Sequence, residues 1–324
     1  MKIEGFKPTM VYDTYWKFAE KRQDVFFNRI ENKPLPWTED KIIQKYKFTN
    51  AYRASDRVSQ YLIKNVIYCK NYYSPEDQCF RILFFKLFNK IETWEYMENA
   101  LGEISYRSYS YKRYNTLLTQ KLNNNERIYS AAYIMPTGKG CFGFSKKHQN
   151  NLKLLEQMMK SGLPTMIAKS KSLQELFEIL ISYPSLGSFL AFQYAIDINY
   201  SELCDFDEMS FVVAGPGAQN GIIKCFGELN GYKYEDIIKY VAEHQEIEFE
   251  KRGLKFKTLF GRKLHLIDCQ NLFCETDKYA RIAHPDIGGI NERKRIKQQY
   301  INHNLESIEY FYPPKWGINN CIDS

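Results

Sequence analysis

The segment Tyr183-Pro-Ser-Leu-Gly187-Ser188 closes one apolar, helically spaced stretch and opens another. A helix beginning at Ser188 would present unpaired backbone N–H groups and the positive end of its dipole, which suits a phosphate oxygen. Gly187, with no Cβ, would let that phosphate come close. Farther on, Gly215-Pro-Gly217-Ala-Gln219-Asn220-Gly221 reads as a loop that brings backbone near a ligand. The amides of Gln219 and Asn220 are of the kind that read a base edge. In Asp268–Arg281, helical spacing puts Asn271, Glu275 and Lys278 on one face, and Gln270, Asp277 and Arg281 extend its polar side. In Phe48–Arg57, Asn50, Arg53 and Arg57 line a helical face fit for phosphate or base contacts, with Asp56 paired to Arg53 or Arg57. The structural alternatives are an αα-corner, a tight turn and ion-paired surface helices.

The elements that would position these residues are helical. Periodic apolar residues predict helices over 10–32, 50–67, 76–102, 152–162, 173–198 and 234–250. Thr38, with Glu39 and Asp40 behind it, would cap another. Residues 128–144 read as a Gly-containing loop, and Lys263–Asp268 is the best short strand. The fold class is therefore mainly α with few short strands. Two helical regions are expected, 1–145 and 146–324, the second with a basic C-terminal part; one compact unit is the alternative.

Composition narrows the class. Apolar residues make up 44% and charged residues 26% of the 324, the balance of a folded globular chain. No apolar run approaches the roughly 18 residues of a membrane span, and MKIEGFKPTM lacks a secretory core. A cytoplasmic protein without a membrane partner is expected. The eight cysteines form no CxxC pair, so they read as reduced thiols and no metal site is expected. Neither a Gly-Lys-Ser/Thr phosphate loop nor a dinucleotide fingerprint is present, so no cofactor is expected. The net charge of +7 fits a polyanion, and segments 251–263 and 293–297 concentrate basic residues.

The 183–191 segment resembles the helix-hairpin-helix of base-excision DNA glycosylases. That resemblance implies an essential aspartate about twenty residues past the hairpin glycine. Asp207 lies at that distance from Gly187, with Asp205 two residues earlier and Asp197 on the helix itself. One carboxylate suffices, because breaking an N-glycosidic bond builds positive charge on the sugar that an anion stabilises. Bifunctional members carry a lysine two residues after the glycine; Phe189 stands there, so strand cleavage is not expected.

Three segments taken together, PWTEDKIIQKYKFTNAYRASDRVSQYL, GPGAQNG and QNLFCETDKYAR, resemble the α-glutamyl/putrescinyl-thymine pyrophosphorylase family. That family is related to the helical domain of the 5-hydroxymethyluracil DNA kinases. The similarity runs from about residue 12 to 300. It implies a helical, glycosylase-like fold acting on modified pyrimidines in DNA, in some relatives as a defence against phage. The family pattern carries Glu-His where this chain has Gln270-Asn271, which weighs against an acid–base role for that pair. By motif, Asn50, Arg53, Asp56, Asp197, Asn220, Glu275 and Lys278 are the residues to test. The expected activity is a monofunctional DNA glycosylase with Asp197, Asp207 or Glu275 in catalysis and no protein partner required. A base-hypermodification transferase and a non-catalytic DNA-binding module are the alternatives.

Overall fold

A computed structural model describes residues 7–71, 73–301 and 309–322. The helices in chain order are α1 (Met10–Ile30), α2 (Lys41–Lys45), α3 (Arg57–Tyr61), α4 (Pro75–Phe88), α5 (Ile91–Leu101), α6 (Tyr111–Asn123) and α7 (Lys139–Phe142). They continue as α8 (Lys147–Lys160), α9 (Leu163–Lys169), α10 (Leu173–Ile181), α11 (Ser188–Asn199), α12 (Pro216–Phe226), α13 (Tyr234–Lys251) and α14 (Leu266–Ala283). Among the described residues, extended pairing is limited to two isolated bridges, Tyr46 with Gln299 and Leu259 with Arg262. The fold is mainly α.

Local chemistry sets the helix starts. Thr9 accepts the Val11 N–H at the head of α1, and Ser74 accepts the Asp77 N–H ahead of Pro75 in α4. The helix expected over 50–67 is broken. Asn50 and Asp56 tie residues 50–56 into a hydrogen-bonded loop, so only Arg53–Ser55 make a 3-10 turn before α3, which runs on into a π-helical turn at Leu62–Ile67. The expected strand at Lys263–Asp268 does not form: Leu266–Asp268 are the first turn of α14 and His265 is its N-cap. Asp268 accepts the His265 N–H and caps the helix from inside its first turn.

The described residues fall into two compact units, one drawn from 1–56, 212–310 and 317–324, the other from 57–211 and 311–316. Residue 145, where the sequence suggested a boundary, lies inside the second. The core of the second is aromatic: Phe80, Phe84 and Phe85 of α4 pack with Trp94 and Tyr114, and Phe88 packs with Phe84 and Tyr129. It also holds α10 and α11 as a helix–turn–helix pair. The left-handed residue of that turn is Ser185, whereas Gly187 is extended and an added Cβ there meets open space.

In the first unit α14 is the central element, packed by α1, α12 and α13. Tyr15 lies 4.4 Å from Phe273 and Trp16 lies 4.8 Å from Phe249, ring centre to ring centre. The Gly215–Gly221 segment is the first turns of α12 rather than a loop. Its glycines serve helix packing: a Cβ at Gly217 would overlap the Cys274 thiol, and one at Gly221 would overlap the Phe273 carbonyl. The backbone there has no room to give. Gly221→Ala is expected to cost about 2 kcal/mol or more. Gly187→Ala should stay within about 0.5 kcal/mol. Urea denaturation midpoints at constant m-value check both.

Candidate functional site

Two polar clusters flank α14. On one side, Glu275 accepts the Thr49 N–H at 3.0 Å and pairs with Lys278 at 2.7 Å. Lys278 Nζ lies 4.6 Å over the ring of Phe48. The neighbouring loop is self-supporting: the Asn50 N–H donates to Asp56 Oδ1 at 2.8 Å, and the Asn50 amide donates to the Ser55 carbonyl at 2.7 Å. The Arg53 N–H donates to Asp268 Oδ1 at 2.8 Å, which fastens the loop to the head of α14. Arg22 reaches in from α1, with Nη2 3.5 Å from the Phe48 carbonyl.

The electrostatics single out one group here. Burial pushes the Asp56 carboxyl up to about 7, against the pull of the Asn50 N–H and the Arg22 and Arg53 cations; Glu275 adds to the push. Burial likewise pulls the Arg22 guanidinium down, while Asp56 and Glu275 oppose it. A carboxyl poised at neutrality beside a second carboxylate and two cations is suited to moving a proton.

On the other side of α14, Asp277 is 1% exposed and holds three partners. The Asn220 amide donates to it, Lys224 Nζ lies at 3.0 Å and Arg281 Nη2 at 2.5 Å. Asn220 also accepts the Asn291 N–H at 3.0 Å, and Gly289 approaches it too closely for any Cβ. Asn220 is therefore committed to structure. Gln219 donates to the Ala214 carbonyl, and Gly217 faces Cys274. Gln270 and Asn271 are buried.

The other expected residues lie elsewhere. Arg57 belongs to the second unit and is exposed, with Glu92 3.5 Å away. Asp197 is sealed with Lys86 at 2.6 Å, each side chain 2% exposed, and Lys86 stands 4.3 Å over Tyr133. Asp207 is exposed and accepts the Met209 N–H of its own turn. Asp205 is exposed, 3.5 Å from Lys315. Gly187 and Ser188 are exposed at the head of α11. Sequence reasoning missed Arg22 and Lys86 as partners. Arg22 gives no local signal, whereas Lys86 stands inside the apolar run FFKLF, where a charge needs a buried partner.

All eight cysteines are free thiols, and burial pushes Cys274 up to about 12. Among the described residues no group of three or more His, Cys, Asp or Glu side chains is placed to hold a metal ion, and no helix is long and apolar enough to cross a membrane.

Residues 9–289 match the family described as "5-hmdU DNA kinase, helical domain". The chain belongs to this family. A curated relative, the "5-hmdU DNA kinase" of Bacillus phage SP10, is 25% identical over 332 aligned residues, which cover 96% of this chain and 51% of the relative. The chain thus spans about half the length of that relative. No solved structure matches. The three segments behind the resemblance in sequence all contribute residues to the two clusters on α14.

Asp56 is protonated more readily in the folded than in the unfolded chain, because its folded pKa is raised. Its stabilising contribution is present below the unfolded value near 4 and is lost as pH rises toward 7. Asp56→Asn keeps the acceptor for the Asn50 N–H and removes the half-buried charge. Relative to wild type, the variant is expected to gain on the order of 2 kcal/mol between pH 5 and pH 8. Thermal unfolding at the two pH values measures it.

Proposed function

We propose that this chain acts on DNA carrying a hydroxymethylated or further decorated pyrimidine, and that it releases the base by hydrolysing the N-glycosidic bond. The observation that carries this reading is the Asp56 carboxyl, poised near neutrality between Arg22 and Glu275 in a site built from the family segments. Membership of the 5-hmdU DNA kinase helical-domain family supports the substrate class.

In this mechanism a modified nucleotide leaves the stack and docks beside Asn50. The C1′–N1 bond breaks and its electron pair goes to the pyrimidine ring. The Glu275 carboxylate stabilises the positive charge that builds on the sugar. A water oxygen bonds to C1′ while its proton passes to the Asp56 carboxylate, whose burial favours the protonated form. Arg22 and Lys278 offset the negative charge of the departing base. The products are an abasic site and free base. Asp197 and Asp207 do not act in this scheme. A cytoplasmic role in defence against phage with modified DNA fits the same substrate.

The name of the phage relative, a kinase of 5-hmdU DNA, favours a second reading. There the glycosidic bond survives and the chemistry falls on the base substituent, as in a transferase of the α-glutamyl/putrescinyl-thymine pyrophosphorylase type that replaces pyrophosphate on a hydroxymethylpyrimidine. Purified protein incubated with DNA containing hydroxymethylated or glucosylated pyrimidines, followed by mass spectrometry, separates the two. The first reading expects free modified base and abasic sites, reduced at least about 100-fold in Asp56→Asn and retained in Asp207→Asn. Intact strands with a changed base mass after addition of a pyrophosphorylated substrate and an amine would favour the second.

A further inference from the structure

The two basic segments picked out from sequence differ in how far their charge is spent. In the first, Lys251 and Arg252 pair with Glu248, Lys257 lies near Glu31 and Lys263 pairs with Glu246. In the second, Arg293, Lys294, Arg295 and Lys297 are all exposed, and none has an ion-pair partner among the described residues. Glu292, just before that run, is the one acid between residues 291 and 300, which leaves the segment strongly positive.

This strap is held in place along its length. At its start the Asn291 N–H is held by Asn220, itself bound to the buried Asp277. In the middle, Arg281 donates to the Arg295 carbonyl at 3.3 Å. At its end Tyr46 and Gln299 pair antiparallel: the Lys47 N–H donates to the Gln298 carbonyl at 3.1 Å, and the Tyr300 N–H donates to the Lys45 carbonyl at 3.0 Å. Lys45, Lys47 and Tyr300 all flank this bridge, so the strap's end brings Tyr300 beside the two lysines. Both lysines are exposed, Lys45 with its Nζ 5.4 Å from the centre of the Tyr46 ring, and Tyr300 is 41% exposed. The next residues along the chain are Phe48, Thr49 and Asn50 of the candidate site. Exposed cations without a carboxylate partner, beside an exposed ring, are the combination that follows a nucleic-acid backbone and stacks a base.

We propose that the strap 291–300, together with Lys45 and Lys47, is the rail that binds DNA phosphates and leads a strand to the loop of Asn50 and Asp56, with Tyr300 stacking on a neighbouring base. This rests on the reading that the chain acts on DNA. The buried Asp277 network then has a purpose beyond packing: it fixes the start of the rail relative to α14.

The test is fluorescence anisotropy with single-stranded and duplex oligonucleotides containing 5-hydroxymethyluracil, between 50 and 300 mM KCl. The rail variant is Lys45→Gln/Lys47→Gln/Arg295→Gln/Lys297→Gln, all at exposed positions that leave the anchors intact. Its slope of log affinity against log salt is expected to fall in magnitude by about 3, since each lost phosphate contact removes roughly 0.7–0.9. Tyr300→Ala is expected to weaken binding about tenfold with the slope unchanged. A control variant, Lys112→Gln/Lys146→Gln/Lys169→Gln/Lys171→Gln, removes the same charge elsewhere and should keep the wild-type slope. Wild-type protein that binds DNA while the rail variant keeps its slope, or while the control loses as much, overturns the rail alone. Tighter binding of the same-sequence RNA through these residues overturns the assignment to DNA. Wild-type protein with no salt-dependent binding overturns the DNA reading and the rail with it.

Discussion

The first unit depends on one buried charge. Asp277 sits at 1% exposure, where an unpaired carboxylate would cost several kcal/mol. Lys224, Arg281 and Asn220 supply the compensation, and each is placed by a different constraint. Arg281 follows one turn later on the same helix. Lys224 and Asn220 belong to α12, and they reach Asp277 only because Gly217 and Gly221 let α12 settle against the backbone of α14. The glycines and the carboxylate are thus parts of one device: close packing brings the donors in, and the buried charge fixes the register. Asn220 passes that register on to the strap at Asn291.

The opposite side of α14 uses its fixed position differently. Glu275 and Lys278 pair through the helix's own spacing, and Glu275 extends this order to the backbone of Thr49. Asn50 closes the following loop around Asp56. The outcome is a carboxyl whose burial outweighs its one backbone donor and its nearby cations, leaving it poised near 7. Asp277 is saturated with partners. Among the described residues Asp56 accepts one backbone hydrogen bond, from Asn50, and it stands beside a like charge.

Legibility in the sequence followed the range of the interactions. Helices α1, α10, α11 and α13 were readable because their apolar spacing is local, and the Glu275–Lys278 pair because i,i+3 spacing is local too. The break between Asn50 and Arg57 was not, because side-chain hydrogen bonds from Asn50 and Asp56 outcompete a helix that periodicity alone favours. The glycines of α12 looked like a ligand loop because composition does not say what a backbone approaches; here it is another helix. The Lys86–Asp197 pair joins residues 111 positions apart, which no spacing rule reaches. Asp56 was read as a partner for Arg53 or Arg57, and its perturbed proton affinity appears only once burial is known.

The central claim is that Asp56 moves the proton in the reaction on the modified nucleotide. The most direct measurement is the pH dependence of single-turnover base release from 5-hydroxymethyluracil DNA, for wild type and Asp56→Asn. The account predicts a rate that rises with pH through a limb near 7 in the wild type. In the variant that limb should vanish, leaving a low, flat profile. An unchanged limb in Asp56→Asn, or a wild-type rate independent of pH between 5 and 9, would contradict it.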